Sequence, residues 1–161
     1  MTWYAENSQV LLYLRVSNNK GGPGVAVAKT DNGKWSAPCS IHGNLKSGKP
    51  QFAEAFDLLF FVKNIEYVKR MEMNEGIDIG AAEDADDILA VTKFEGLFHI
   101  ESEISCSIVV RGELNETMYE KVKYLDTGKI LGGKLVLDIW DVSIFFNSPE
   151  RKFNSYIAEL L

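Results

Sequence analysis

GVAVAKTDNGKWSAPCSI, residues 24–41, is the segment from which the fold is built outward. Val25 and Val27 lie in a β-branched run, and such residues suit a pleated, half-buried surface. Asp31-Asn32-Gly33 follows, and these residue types tolerate the positive φ of a tight turn. Trp35 opens a return strand. Pro38 has no N–H to donate and limits how far that strand pairs on both sides. The segment predicts a β-hairpin.

The flanking chain is read in the same way. Val10–Val16 is compatible with a strand or a short helix, and 17–24, SNNKGGPG, reads as a loop by composition. Residues 42–50 form a second polar, glycine-containing loop. Within 52–63 the run Leu58-Leu59-Phe60-Phe61-Val62 is short enough for a buried strand. Asn64 caps a predicted helix over 65–73, whose Ile65, Val68 and Met71 or Glu72 follow one face imperfectly, with Gly76 at its end. Ile88–Phe94 predicts a strand, and 97–110 its partner across Glu95-Gly96. In that partner Phe98, Ile100, Ile104, Cys106, Ile108 and Val110 alternate with His99, Glu101, Glu103, Ser105 and Ser107. Period two of that length predicts an antiparallel strand with one wet face.

Asn115 starts a short helix reaching about residue 123. Residues 135–146 are apolar and β-like. Ser148-Pro149 then opens a C-terminal amphipathic helix with a stripe of Phe153, Tyr156, Ile157, Leu160 and Leu161. The predicted class is α+β: a single domain with an antiparallel, barrel-like sheet, a few short helices and that C-terminal helix.

Several of these residues also carry a family resemblance. Gly24-Val25, the strand to Lys29, Asp31 with Gly33, and Trp35-Ser36-Ala37-Pro38 resemble the strand-turn-WSAP segment of SYLF domains. Phe94-Glu95-Gly96-Leu97-Phe98 is similar to that family's glycine-leucine-phenylalanine turn. Residues 115–119 and Ile130-Leu131-Gly132-Gly133 follow in the family's order. The SYLF-like region is 1–133, with the resemblance strongest over 21–133; 134–161 is an extension read as packed on the same domain. The resemblance implies a non-catalytic module that binds phosphoinositides at membranes, in some members with an actin association. The chain departs from the pattern in places. About twenty residues precede Gly21, where the family has a longer lipid-contacting region. The stretches 44–54 and 81–87 hold little glycine. His99, Glu101 and Glu103 stand where the family favours small residues.

Bulk properties narrow the function classes. A chain of 161 residues suits one domain and buries a core without staples. The formal net charge of −6 argues against a nucleic-acid partner, which needs a basic face. It also opposes a purely Coulombic grip on anionic membrane, where each Lys or Arg contributes about 1 kcal/mol. Two cysteines make no disulfide framework, so both are read as reduced and the setting as cytoplasmic, at most peripheral to membranes. The N-terminus lacks the basic region of a signal peptide, and no apolar run approaches the ~20 residues of a spanning helix.

No constellation points to chemistry. Cys39-x-x-His42 is half of a zinc spacing, but His99 and Cys106 are seven apart and would face opposite sides of one strand. Ser36 has no base near it in sequence. Glu101 and Glu103 read as a solvated strand face. Gly21-Gly22-Pro23-Gly24 lacks the Lys-Ser/Thr of a phosphate loop, and 83–87 lacks the spacing of a calcium loop. No cofactor, metal or enzymatic activity is expected. Lys20, Lys46 and Lys49 flank the hairpin strands and are the candidate lipid-binding residues, able to form a small anion-binding patch if they converge. Two alternatives stand beside an anionic-lipid partner. One is a protein-interaction domain, actin-associated, without lipid affinity. The other is a small-ligand binder or enzyme with a pocket at the mouth of the sheet.

Overall fold

The computed structural model describes residues 6–31, 33–48, 50, 54–80, 84–118 and 127–132. They contain eight strands: β1 (Val10–Val16), β2 (Gly21–Ala28), β3 (Cys39–Ser47), β4 (Phe56–Val62), β5 (Ile77–Gly80), β6 (Ile88–Phe94), β7 (Leu97–Glu101) and β8 (Ser105–Val110). Three short helices join them: α1 (Glu66–Glu72), α2 (Gly112–Met118) and α3 (Thr127–Leu131). The strands pair antiparallel in one sheet of order β5-β8-β3-β2-β1-β4-β6-β7. The predicted β-rich antiparallel class is therefore present. The C-terminal strand and helix predicted over 135–161 lie outside the described residues.

The sheet curls, and its connections require it. β7 is last in the order and β8 second, six strand spacings apart, or about 29 Å in a flat sheet. Only Ser102, Glu103 and Ile104 join them, a reach of about 14 Å from Glu101 to Ser105. Strand twist must therefore accumulate until the β7 edge approaches β8, giving a half-barrel.

The central strands are buried on both faces. In β4, FDLLFFV, every residue is buried. Phe56, Leu58, Phe60 and Val62 enter a large cluster that also takes Val68 and Met71 of α1 and Ile130 and Leu131 of α3. On the opposite face Leu59 and Phe61 join Leu11, Tyr13, Val25, Val27 and Val91. A continuous apolar run, not an alternating one, is what such a strand needs.

The hairpin at 24–41 forms as its sequence predicts, with Gly33 at φ +78° and Thr30 N–H donating to Lys34 O at 2.7 Å. The WSAP residues have a local task. Ser36 N–H donates to Ala28 O at 2.8 Å, and Ser36 Oγ accepts from Ala28 N–H at 3.0 Å. The hydroxyl thus carries the ladder to the point where Pro38 interrupts it. Ser36 is itself buried, so Ser36→Ala removes the acceptor of a buried N–H. This substitution is expected to cost about 1–3 kcal/mol, read as a lower urea midpoint at unchanged slope.

Three expectations are corrected. Residues 21–24 are strand, not loop: a Cβ on Gly22 or Gly24 would fall inside the carbonyl oxygen of Arg15 or Tyr13. Glycine is there for close approach of backbones, not for a turn. Residues 97–110 are two strands on opposite flanks of the sheet, and Ile100 is 70% exposed while Cys106 and Ile108 are buried. The third concerns helix ends. Asn74, at φ +55°, takes the left-handed position after α1 instead of Gly76, and α2 begins at Gly112, which leaves Asn115 inside it. The start of α1 is as read: Asn64 Oδ1 accepts from Glu66 N–H at 2.9 Å.

Candidate functional site

The strand registers bring several loops to one end of the sheet. Val16 pairs with Phe56, Asp57 with Lys93, Phe94 with Leu97, Gly21 with Asn44, and Ser47 with Ser105. The turn after β1, the end of β3 and the β6–β7 turn therefore share an end.

Lys20 closes the turn after β1, where Asn18 and Asn19 adopt φ of +54° and +52°. Lys20 N–H donates to Ser17 O at 3.1 Å, and Leu45 N–H donates to Lys20 O at 2.7 Å. Asn19 N–H is held by Glu54 O at 3.0 Å. The backbone of Lys20 is thus fastened directly to β3, next to Lys46. Lys46 lies on β3, not in a loop, and its Nζ is 3.1 Å from Asp78 Oδ2 of β5. Asp78 Oδ1 also accepts from Ser107 Oγ at 2.6 Å. The Ser107 hydroxyl, and after it the Lys46 ammonium, hold the Asp78 carboxyl below its ordinary range. Lys49 lies outside the described residues. Glu54, Glu95 and Glu103 belong to the same end and are exposed, so its cations are interleaved with acids.

The β6–β7 hairpin is the apolar part of this end. Glu95 and Gly96, at φ +50° and +80°, make the two-residue turn that hairpin twist favours. Beyond it Leu97, Phe98 and Ile100 are 65%, 44% and 70% exposed. Lys93 Nζ sits 4.9 Å from the centre of the Phe98 ring.

Other chemistry is set by burial. Cys39 Sγ is 3.3 Å from Asn115 Nδ2, which donates to it, and Asn115 Oδ1 accepts from Ser40 N–H at 2.7 Å. Burial pushes the Cys39 thiol up to about 12, and the Cys106 thiol likewise. Both stay protonated at neutral pH, and thiolate is the nucleophilic form. Among the described residues no three His, Cys, Asp or Glu side chains group as a metal site. Glu101 lies on β7, accepting from Thr92 Oγ1 at 2.9 Å, while Glu103 lies in the link to β8, so they do not share a strand face. An open cleft of about 370 Å³ lies between α2 and α3, with Glu113, Glu116 and Thr127 among its walls.

A polar cluster went unread in the sequence. Asp57 is buried on β4, and its Oδ1 accepts from Tyr13 OH at 2.8 Å and from Arg15 Nη1 at 2.8 Å. A cavity of about 40 Å³ beside it is lined by Tyr13, Arg15, Gly24 and Ser40 among others. The available signal was a lone charge in each of two apolar strands, VLLYLRV and FDLLFFV.

No protein-family model matches the chain, and neither the curated proteins nor the solved structures provide a match. Among the described residues no helix is long and apolar enough to cross a membrane.

Proposed function

We propose that this chain is a non-catalytic lipid-binding module that meets anionic head groups, phosphoinositides in particular, through Lys20, Lys46 and Lys49, the first two at the end of the sheet described above. The observation behind the reading is the backbone bond from Leu45 N–H to Lys20 O, which brings the backbone of Lys20 next to that of Lys46. The WSAP and glycine-leucine-phenylalanine resemblance supports the ligand class.

The test is co-sedimentation with phosphatidylcholine vesicles, with and without a few per cent phosphoinositide. Lys46→Glu combined with Lys49→Glu is expected to lower binding to the phosphoinositide vesicles by about tenfold or more, at about 1 kcal/mol per reversed charge relative to neutral. Lys46 and Asp78 are half exposed, and such pairs contribute little to folding, so the fold is expected to survive. Unchanged binding removes these lysines from the site. Absence of binding by the wild-type chain moves the search to protein partners, filamentous actin first.

A further inference from the structure

The lysine end is too mixed in charge to hold a membrane alone, because Glu54, Glu95 and Glu103 share it and the chain carries a net −6. A second contribution is needed, and β7 offers one. It is the outermost strand on its side of the sheet, paired only with β6 among the described strands. Its three large apolar side chains are all open to solvent. An outer strand of this kind is normally protected by charge or proline against edge-to-edge association; in LFHIE the only carboxylate is the last residue, Glu101, and the four before it carry neither lysine nor proline.

The distribution of those side chains argues for the occupant. Along a strand, successive residues point to opposite faces. Phe98 and Ile100 therefore stand on one face and Leu97 on the other. A protein resting on a sheet covers one face only. A medium that surrounds the strand covers both, and the head-group–acyl boundary of a bilayer is such a medium. It also keeps water within reach of the outward N–H and C=O groups of an edge strand, which the bilayer core does not. Lys93, stacked on Phe98, can hold its ammonium at phosphate level while the ring goes deeper.

We infer that β7 is the membrane anchor of this chain: it enters the head-group boundary edge-on, with Leu97, Phe98 and Ile100 as apolar contacts and Lys93 beside the lipid phosphates. The inference rests on the lipid-binding reading and adds how the bilayer is held. It adds to the salt-sensitive lysine contribution an apolar part of the binding that salt does not screen.

Two measurements on the full chain test it. The first compares the wild type with a Leu97→Ser, Phe98→Ser, Ile100→Ser variant in co-sedimentation with phosphatidylcholine vesicles containing phosphoinositide. The second follows an environment-sensitive dye on Ile100→Cys; Cys39 and Cys106 are buried and stay unlabelled. The expected result is a loss of partitioning of about tenfold or more in the serine variant, with a blue shift of the dye on adding vesicles. Equal partitioning of both proteins and an unshifted dye would overturn the anchor and leave the lysine reading standing. A serine variant that changes only self-association would also overturn it, in favour of edge pairing between copies. A wild-type chain that binds no vesicle overturns both readings. Because the three side chains are exposed, the variant is expected to keep the wild-type circular dichroism spectrum, and a lost spectrum sends the decision to the dye.

Discussion

Replacing Gly24 by valine is expected to lower the melting temperature by at least about 6 °C. Gly24 pairs with Leu14 of β1 on one side and Ile41 of β3 on the other, so it sits in the interior of the sheet. A Cβ there would fall inside the Tyr13 carbonyl oxygen and lie 2.8 Å from Leu14 Cδ2. The leucine methyl can rotate away; the carbonyl cannot, because it belongs to the backbone of the central strand. Accommodation needs β1 and β2 to separate beside Leu14 and Ile41, which are both buried. Overpacking a core costs about 1–3 kcal/mol where side chains can adjust, and a backbone clash belongs at or above the top of that range. Against a total stability of about 5–15 kcal/mol, that is a large fraction. A fall in Tm of about 6–12 °C is the smallest effect consistent with the geometry. The control is Gly112→Ala at the start of α2, where nothing lies within 4 Å of the added carbon. It should change stability by less than about 1 kcal/mol, in the stabilising direction that helix propensity gives. A Gly24→Val protein as stable as Gly112→Ala would mean that the β1–β2 spacing is not tight.

The same glycine shows why part of the fold was legible in the sequence and part was not. A run such as FDLLFFV has one economical reading, a strand covered on both sides, and β4 is that strand. The turn at Gly33 is legible because positive φ restricts residue type locally. GGPG was misread because one composition serves two needs, chain reversal and close backbone approach, and only the neighbouring strand distinguishes them. The alternation of 97–110 was real but uninformative about partners: period two says that a residue pair faces opposite ways, not which strand lies alongside. Hence 97–110 reads from sequence as one element, and the exposed Phe98 and Ile100 fall inside its apolar stripe. The candidate site suffered the same limit. Lys20 and Lys46 are far apart in sequence, and their adjacency follows from the β2–β3 register, which no local rule supplies.

Asp57→Ala is expected to be the most damaging substitution of a polar side chain on the sheet. Asp57 is almost wholly buried, and one oxygen serves both Tyr13 and Arg15. The residue lies in a row that crosses three strands, Arg15 to Asp57 to Lys93, so its negative charge stands between two positive ones. Removing it takes away the acceptor for a buried phenol and leaves two cations without the charge between them. The Arg15 side chain is 39% exposed, so water recovers part of its loss, whereas the Tyr13 hydroxyl has far less access to solvent. A cost of about 2–4 kcal/mol follows, most of it from stranding partners instead of losing attraction. Tyr13→Phe alone should cost about 1 kcal/mol, because it removes donor and demand together. The double variant is then expected to be less destabilised than the sum of the two by about 1 kcal/mol, the signature of a shared bond. Urea unfolding of the four proteins measures this directly. Strict additivity would show that Tyr13 and Asp57 act independently. A Tyr13→Phe background in which Asp57→Ala loses most of its effect would place the cost on the phenol and not on the charge row, and would let Lys93 serve Phe98 and the lipid surface without disturbing the fold.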